Sequence, residues 1–455
     1  MDTYSKLIGC NIHQSIRVHS MALKIIDTPE FQRMRYIKQL GLCYYVYPSA
    51  SHSRFEHSLG VYHLTGKILD RILLQYPHRK YDIIELGSTE LTPLIVECIK
   101  IAGLCHDIGH GPFSHIFDDV LLANSTNINK HHETRSCLIT EIICKRELNK
   151  ELSQPHIDFI KNLIHPGPTH RGALYQIVAN QLNGIDVDKF DYLVRDAKNL
   201  GITNGFTYTR LIDEVTISEI DTTLVNNQSS HSEVLCYPKH SSMDVYDLFH
   251  ARYIMHKKVY SHKTVKLIEM MLSDIFKKVD PILKISESIN DMNKFCQFTD
   301  DSIINMIENI INPPIYCQIS LSEMDMQSIK EAYQIYHSVI TRKLYKHITE
   351  LSHNFNVDEF IKYLTMKYPD LIVPLDFETY TIHVGFVGDP EKDPFDDIYF
   401  YDKKEGTKSF KISRSEITCC LNETIHEEHT HMVLKKHDLY ELVMKELENY
   451  KIQKN

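Results

Sequence analysis

Tryptophan is absent from this 455-residue chain, and glycine and proline number only 16 each. Those counts exclude a collagen-like or Gly/Pro-rich low-complexity chain. The 11 cysteines are scattered and odd in number, with no Cys-x-x-Cys pair; the nearest neighbours are the adjacent Cys419 and Cys420. A disulfide scaffold is excluded and a cysteine-rich zinc site disfavoured, so any metal draws on the 27 histidines and the carboxylates. No run approaches the ~18 apolar residues of a membrane span, and residues 1–6 lack the apolar core of a signal peptide. The expectation is an intracellular protein, cytoplasmic or nuclear, with reduced thiols. Basic side chains are outnumbered, 50 against 60, for a net charge of −10. This argues against coating of nucleic acid but leaves room for a local basic pocket, because steering depends on where charge sits. What remains is ordinary: 43% apolar and 24% charged residues, enough for a large core.

Helical signals fill residues 1–280. Asp27-Thr28-Pro29 sets a capping residue before a proline at a first helical position, with Gly41 where that helix would stop. Thr92-Pro93 repeats the signal ahead of Leu94, Ile95, Val96, Ile99, Ile101, Ala102 and Leu104. This predicts a helix to about His106 and a break in the Gly109/Gly111 turn. Residues 242–279 lack Gly and Pro and carry apolar side chains at helical spacing, predicting one long helix. Residues 205–238 are polar and turn-rich around 226–230, which reads as a hairpin excursion on the surface. Past residue 350 the pattern turns β-rich, at 377–384, 398–401 and 410–412, with a closing helix near 438–450. The fold class read from this is mainly α. A helical core spans 1–280, a helical connector 281–350, and a small mixed α/β C-terminal lobe 351–455.

The chemistry concentrates at His106-Asp107, at the end of an apolar helix and followed by Gly109, His110, Gly111, Pro112 and His115. A helix that ends on adjacent His and Asp can aim both side chains at one point. Imidazole nitrogen with carboxylate oxygen suits a borderline divalent cation such as Fe, Mn, Zn, Co or Ni. Two ligands do not close a coordination sphere, and His57 and Asp188 are the candidates to complete it. The order His, His-Asp, Asp is the ligand pattern of HD phosphohydrolases. Each residue also has a plainer reading: a helix cap for the pair, a satisfied core histidine for His57, a solvated charge for Asp188 beside Asp186 and Asp191. A second layer suits a polyanion. Arg252, His256, Tyr260 and Lys263 recur at spacings of four, four and three on the expected long helix and would share one face. Arg offers a planar fork and Lys a point charge for phosphate oxygens; the alternative is a solvated basic stripe.

The run Asp27-Thr28-Pro29-Glu30-Phe31-Gln32-Arg33-Met34-Arg35-Tyr36-Ile37-Lys38-Gln39-Leu40-Gly41, with residues 51–60, 101–115, 183–196 and 246–263, resembles in length and order the motifs of the SAM- and HD-domain-containing deoxynucleoside triphosphate triphosphohydrolases of animals. The resemblance is dense over 6–280, thinner to 350, and returns at 396–403. It implies an HD-domain helical core that begins without the family's sterile-alpha-motif domain. It also implies hydrolysis of a deoxynucleoside triphosphate (dNTP) to deoxynucleoside and inorganic triphosphate. By position, His57, His106, Asp107 and Asp188 match metal ligands for Fe, Mn, Zn or Mg. Arg54, Lys189 and Arg252 match triphosphate contacts. His110, His115 and His132 match proton-transfer histidines, with His115 the general acid. Gln39, Tyr192, Asp196 and Tyr260 match residues that hold the deoxyribose.

The resemblance further implies activation by GTP and dNTP at sites between subunits of a dimer or tetramer. Lys6, Asp27, Gln32, Arg35, Arg342 and Lys346 match the guanine site, and Arg210, Lys263 and Lys403 part of a second nucleotide site. Departures fall here: Gly9-Cys10 replaces a polar Asn-Asp pair, Pro238 stands near an expected arginine, Ser261 replaces a glutamine, and Leu42-Cys43 interrupts a glycine run. Two other readings compete. One is an HD enzyme for nucleoside monophosphates, cyclic nucleotides or nucleic-acid ends. The other is a non-catalytic nucleotide sensor or single-strand binder, which predicts missing ligands, and none is missing.

Overall fold

The computed structural model of the chain describes residues 4–221, 231–314, 321–351, 355–387, 393–404, 406, 408–418 and 426–454. The polar stretch 226–230 and the pair Cys419-Cys420 lie outside the described residues. Two compact units form. One joins Met1–Met255, Ser286–Ile303 and Asp389–Ile425; the other joins His256–Ile285, Ile304–Gly388 and His426–Asn455. The architecture is mainly helical with small sheets. No described helix is long and apolar enough to cross a membrane.

The first unit opens with an antiparallel hairpin, Ser5–Cys10 against Gln14–His19. Ile16 and Val18 alternate into the core from its second strand. Three long helices then frame the centre. The His57 helix, Arg54–Gln75, starts in a capping box in which Ser53 and Glu56 satisfy each other's backbone N–H groups. The His106 helix, Pro93–Cys105, is capped by Thr92, and Ile95, Ile99, Ile101 and Leu104 lie in the core. Gly103 lets it close on the His57 helix, since a Cβ there would stand 2.6 Å from Thr65 Oγ1. The Asp188 helix, Val187–Leu200, is capped by Asp186 and stopped by Gly201 at φ 65°.

Three expectations are corrected. The Thr28-capped helix is only Pro29–Gln32, continued by a 3₁₀ turn Arg33–Tyr36, so it stops well before Gly41. The buried Arg33 side chain is drawn onto the carbonyls of Ile108, His110 and Phe298, which fixes the chain's path there. The segment 205–238 does contain a hairpin, but its return strand His231–Pro238 is no surface excursion. It pairs antiparallel with Thr216–Asp221 and parallel with Tyr399–Tyr401, and buries Val234, Leu235, Cys236 and Tyr237. Finally, the single helix expected over 242–279 is three pieces: Ser242–Met255, a π turn His256–Tyr260, and Lys263–Leu283. Ser261 N–H reaches back five residues to the His256 carbonyl, and the His262 ring caps the new helix by accepting from Thr264 N–H. Arg252, His256, Tyr260 and Lys263 therefore do not form one continuous helical face.

In the second unit, Lys263–Leu283 packs with Glu323–Ile340. A three-stranded antiparallel sheet runs in the order Lys346–Glu350, His426–Leu434, Phe377–Gly385. Helices Val357–Lys367 and Tyr440–Lys454 cover it with Phe360, Leu364, Val443 and Leu447 against Met432 and Leu434.

Candidate metal centre

The His57, His106 and Asp188 helices deliver their side chains to one place in the first unit. His57 Nε2 lies 3.3 Å from His106 Nε2, 3.6 Å from Asp107 Oδ2 and 3.0 Å from Asp188 Oδ1. His106 Nε2 is 3.4 Å from both Asp107 Oδ1 and Asp188 Oδ1. Neighbouring ligands on one ion at ~2.1 Å stand about 3.0–3.4 Å apart, which all of these spacings match except the 3.6 Å from His57 to Asp107. The tautomers decide the fit. His57 Nδ1 hydrogen-bonds Asp191 Oδ2 at 2.8 Å, and His106 Nδ1 hydrogen-bonds the Gly103 carbonyl at 2.9 Å. Both imidazoles turn Nδ1 outward to an acceptor, so the two Nε2 atoms face each other across 3.3 Å. Positive charge between them, a divalent ion or a proton, makes that arrangement favourable.

The electrostatics agree. Burial lowers the His57 imidazole, yet hydrogen bonds to Asp188 and Asp191 overcome this and raise it to about 10. His106 is likewise raised against its burial, by Asp107 and Asp188. Burial opposes the charge on Asp107, but His106, Arg54 and His110 hold its carboxyl well below the usual range. Asp188 is depressed in the same way by His106 and His57. The donor set thus fits a divalent cation. The plainer readings fit less well: His57 is fully buried yet aimed at His106, Asp107 and Asp188, while Asp186 caps the helix, Asp188 faces the two imidazoles and Asp191 braces His57.

A second cluster stands beside the first. His110 stacks on His132 with centroids 3.9 Å apart, and His115 meets His110 edge-on at 5.0 Å. His110 Nε2 lies 3.3 Å from Asp107 Oδ1, while its buried Nδ1 has no partner among the described residues. His132 Nδ1 lies 3.2 Å from Asp118 Oδ2, and Asp118 is held by Arg135. Gly109 permits this approach, since a Cβ there would stand 2.3 Å from the His132 carbonyl. Burial, then the charges of Arg54 and His132, push the His110 imidazole well down. The His115 side chain is exposed at the surface, yet desolvation, then Arg54 and His132, push its imidazole down.

The loop that presents His115 is strained. Phe113 and Ser114 both sit in the left-handed region, at φ 61° and 60°, costing about 1–3 kcal/mol each. Three contacts hold them: Phe113 N–H to the buried Asp300 Oδ1 at 2.6 Å, Ser114 Oγ to the Lys38 carbonyl at 2.8 Å, and Arg54 Nε to Ser114 Oγ at 2.9 Å. The second Asp300 oxygen accepts Lys38 N–H at 2.9 Å.

The remaining expected residues are placed as follows. Arg54 is buried and pairs with Asp107. Lys189 pairs with Asp186 at 3.1 Å. Half-buried Arg252 and Lys189 act as cations on the Tyr192 phenol, partly offsetting the rise caused by burial. Asp196 is buried and accepts from His52 Nε2 at 2.7 Å. Gln39 has a buried side-chain oxygen with no partner among the described residues. Tyr260, in the second unit, meets His256 edge-on at 5.0 Å. Of the regulatory positions, Lys6 and Asp27 are exposed, Gln32 accepts from Arg35 at 2.7 Å, and Arg35 lies over the Phe55 ring. Arg210 pairs with Asp244 at 3.1 Å, and Lys403 with Glu214 at 2.6 Å. In the second unit Lys263 is exposed, Lys346 lies over Tyr440, and Arg342 has φ 61°. Sequence reasoning passed over His13, His52, Asp118 and Asp300, and gave Asp191 no task. For Asp191 the signal was available: three residues after Asp188, it shares that helix face.

Comparison with known proteins agrees with this geometry. The HD domain family matches residues 54–196. An HD domain-containing protein of Acanthamoeba polyphaga mimivirus is 52% identical, over 98% of this chain and 96% of its own. The deoxynucleoside triphosphate triphosphohydrolase SAMHD1 of Mus musculus is 32% identical over 95% of this chain and 69% of its own. The SAMHD1 homolog of Dictyostelium discoideum is 32% identical over 99% and 82%. With relatives of this identity and coverage, and with His57, His106, Asp107 and Asp188 converging in space, the chain belongs to the HD-domain deoxynucleoside triphosphate triphosphohydrolase family.

Proposed function

We infer that the chain is a metal-dependent hydrolase that cleaves dNTPs to deoxynucleoside and inorganic triphosphate. The facing Nε2 atoms of His57 and His106, each with its other nitrogen already bonded, carry the reading. His57, His106, Asp107 and Asp188 would hold an Fe, Mn, Zn or Mg ion. Such an ion lowers the pKa of a bound water and neutralises phosphoryl charge. Arg54 braces Asp107 from behind, and Lys189 and Arg252 supply cations for the triphosphate. The histidine cluster handles the departing 5′ oxygen. His115, held down by desolvation and its neighbours, gains affinity for a proton beside a polyanion, which suits it to supply acid there. His110 and His132 both meet its ring edge-on. Gln39, Tyr192, Asp196 and Tyr260 are assigned to the sugar; the unpartnered Gln39 oxygen supports an acceptor role toward a hydroxyl. The catalytic core falls within residues 1–280.

The finer parts of the reading rest on resemblance. GTP and dNTP would act at Lys6, Asp27, Gln32, Arg35, Arg342 and Lys346, and at Arg210, Lys263 and Lys403, in a homo-oligomer inside the cell, in cytoplasm or nucleus. Incubation of the protein with each dNTP and Mn2+ or Mg2+, with and without GTP, tests the core claim. Tripolyphosphate is the expected product. Pyrophosphate release, or no turnover under any of these conditions, would contradict it.

A further inference from the structure

The hairpin at the N-terminus reaches the metal centre through a single carboxylate. Asp191 is fully buried, and both its oxygens are occupied. Oδ2 meets His57 Nδ1 at 2.8 Å and Arg195 Nε at 2.7 Å; Oδ1 meets His13 Nε2 at 2.6 Å and an Arg195 terminal nitrogen at 2.9 Å. An ionised carboxylate only accepts, so His13 donates from Nε2. Its Nδ1 then accepts from the Tyr208 hydroxyl at 3.0 Å. The His13 side chain is 1% exposed although its neighbours in the turn, Asn11 and Gln14, are exposed. The carboxylate has no room to swing toward the His57 helix: a Cβ at Gly60 would stand 1.9 Å from Asp191 Oδ1.

The turn that carries His13 is itself fastened to the Asp188 helix. Cys10 Sγ accepts N–H bonds from Ile12 and His13 at 3.4 Å each, shaping the turn, and lies 3.7 Å from Arg195. The Asn11 carbonyl accepts from Lys198, and its side chain meets Arg195 at 3.5 Å. Cys10 thus serves the local fold, its sulfur doing what a short carboxylate does in an Asx turn.

We propose that His13 is a positioning residue of the metal centre: it fixes Asp191, which fixes the ring of His57, so seating of the N-terminal hairpin on the Asp188 helix sets the affinity for the divalent ion. This rests on the reading of His57, His106, Asp107 and Asp188 as the ligands. Loss of a partner bonded directly to a ligand costs about 10–100-fold in metal affinity; His13 stands one bond further out, so roughly 3–10-fold is expected.

The test is calorimetric titration of the EDTA-stripped full chain with Mn2+, beside thermal melts in EDTA. Wild type, His13→Ala, His13→Gln and His57→Ala are compared. His13→Ala should weaken Mn2+ binding by the stated factor, and His13→Gln, which keeps a donor, should recover part of it. Where His13→Ala does not fold, His13→Gln carries the test, with weakening of about 2–5-fold expected. Mn2+ affinity unchanged in both His13 variants while His57→Ala loses it would overturn the proposal and leave the ligand assignment standing. A lower melting temperature in EDTA with unchanged Mn2+ affinity would overturn it too, by assigning His13 to stability alone. Undiminished binding by His57→Ala would overturn the ligand assignment itself.

Discussion

Two groups of histidines lie side by side in the first unit, and they are built for opposite ends. In the first, His57 and His106 turn Nε2 inward among Asp107 and Asp188, and the imidazoles are raised. In the second, His110, His115 and His132 stack on one another with Asp118 turned to Arg135, and His110 and His115 are lowered. Each group offers a metal three donors, two imidazoles and Asp107 in the first and three imidazoles in the second. Carboxylate count and cation placement separate them. Two acids facing two imidazoles collect a positive charge. One acid already paired to an arginine, with Arg54 near, leaves His110 and His115 lowered, so it takes an arriving anion to favour their charged form. The residue type is shared; the neighbours assign the task.

The comparison can be sharpened by removing one member of the second group. His115→Ala should lower kcat by about 10²-fold or more, the range for a lost general acid, with the Mn2+ dissociation constant unchanged within about 2-fold. Metal loss in that variant would merge the two clusters into one site. A smaller effect probes the support of the second cluster. Burial, only partly offset by N–H bonds from Phe113 and Lys38, raises the Asp300 carboxyl to about 6. The folded state therefore holds a proton that the unfolded chain releases near pH 3.9. This contribution to stability is present at low pH and lost as pH rises through 6. Relative to Asp300→Asn, which cannot titrate, wild type should lose about 1 kcal/mol between pH 5 and pH 8 in urea melts. Parallel curves for the two proteins would contradict the assignment.

The ligands were legible because their signals are local and of one kind. An apolar helix that ends on His106-Asp107 and breaks at glycine announces itself, and Thr92-Pro93 marks its start. Less local features were hidden. Nothing near Tyr399–Tyr401 says that it pairs with Cys236–Pro238, more than 160 residues earlier. The break after Met255 uses neither Gly nor Pro; a histidine ring caps the following helix instead, a task that histidine seldom performs. His13 was illegible for another reason: its meaning comes from Asp191, and no spacing in the chain connects them. Asp300 likewise shows its use only once Phe113 and Lys38 have been brought to it.

The account stands on one ion held by His57, His106, Asp107 and Asp188. Equilibrium dialysis against Mn2+, run on wild type, Asp188→Ala and His132→Ala, addresses this directly. One ion per chain is expected in wild type and in His132→Ala, with binding weakened by about 100-fold in Asp188→Ala. Retention of the ion by Asp188→Ala together with its loss from His132→Ala would place the metal in the other cluster and contradict the account.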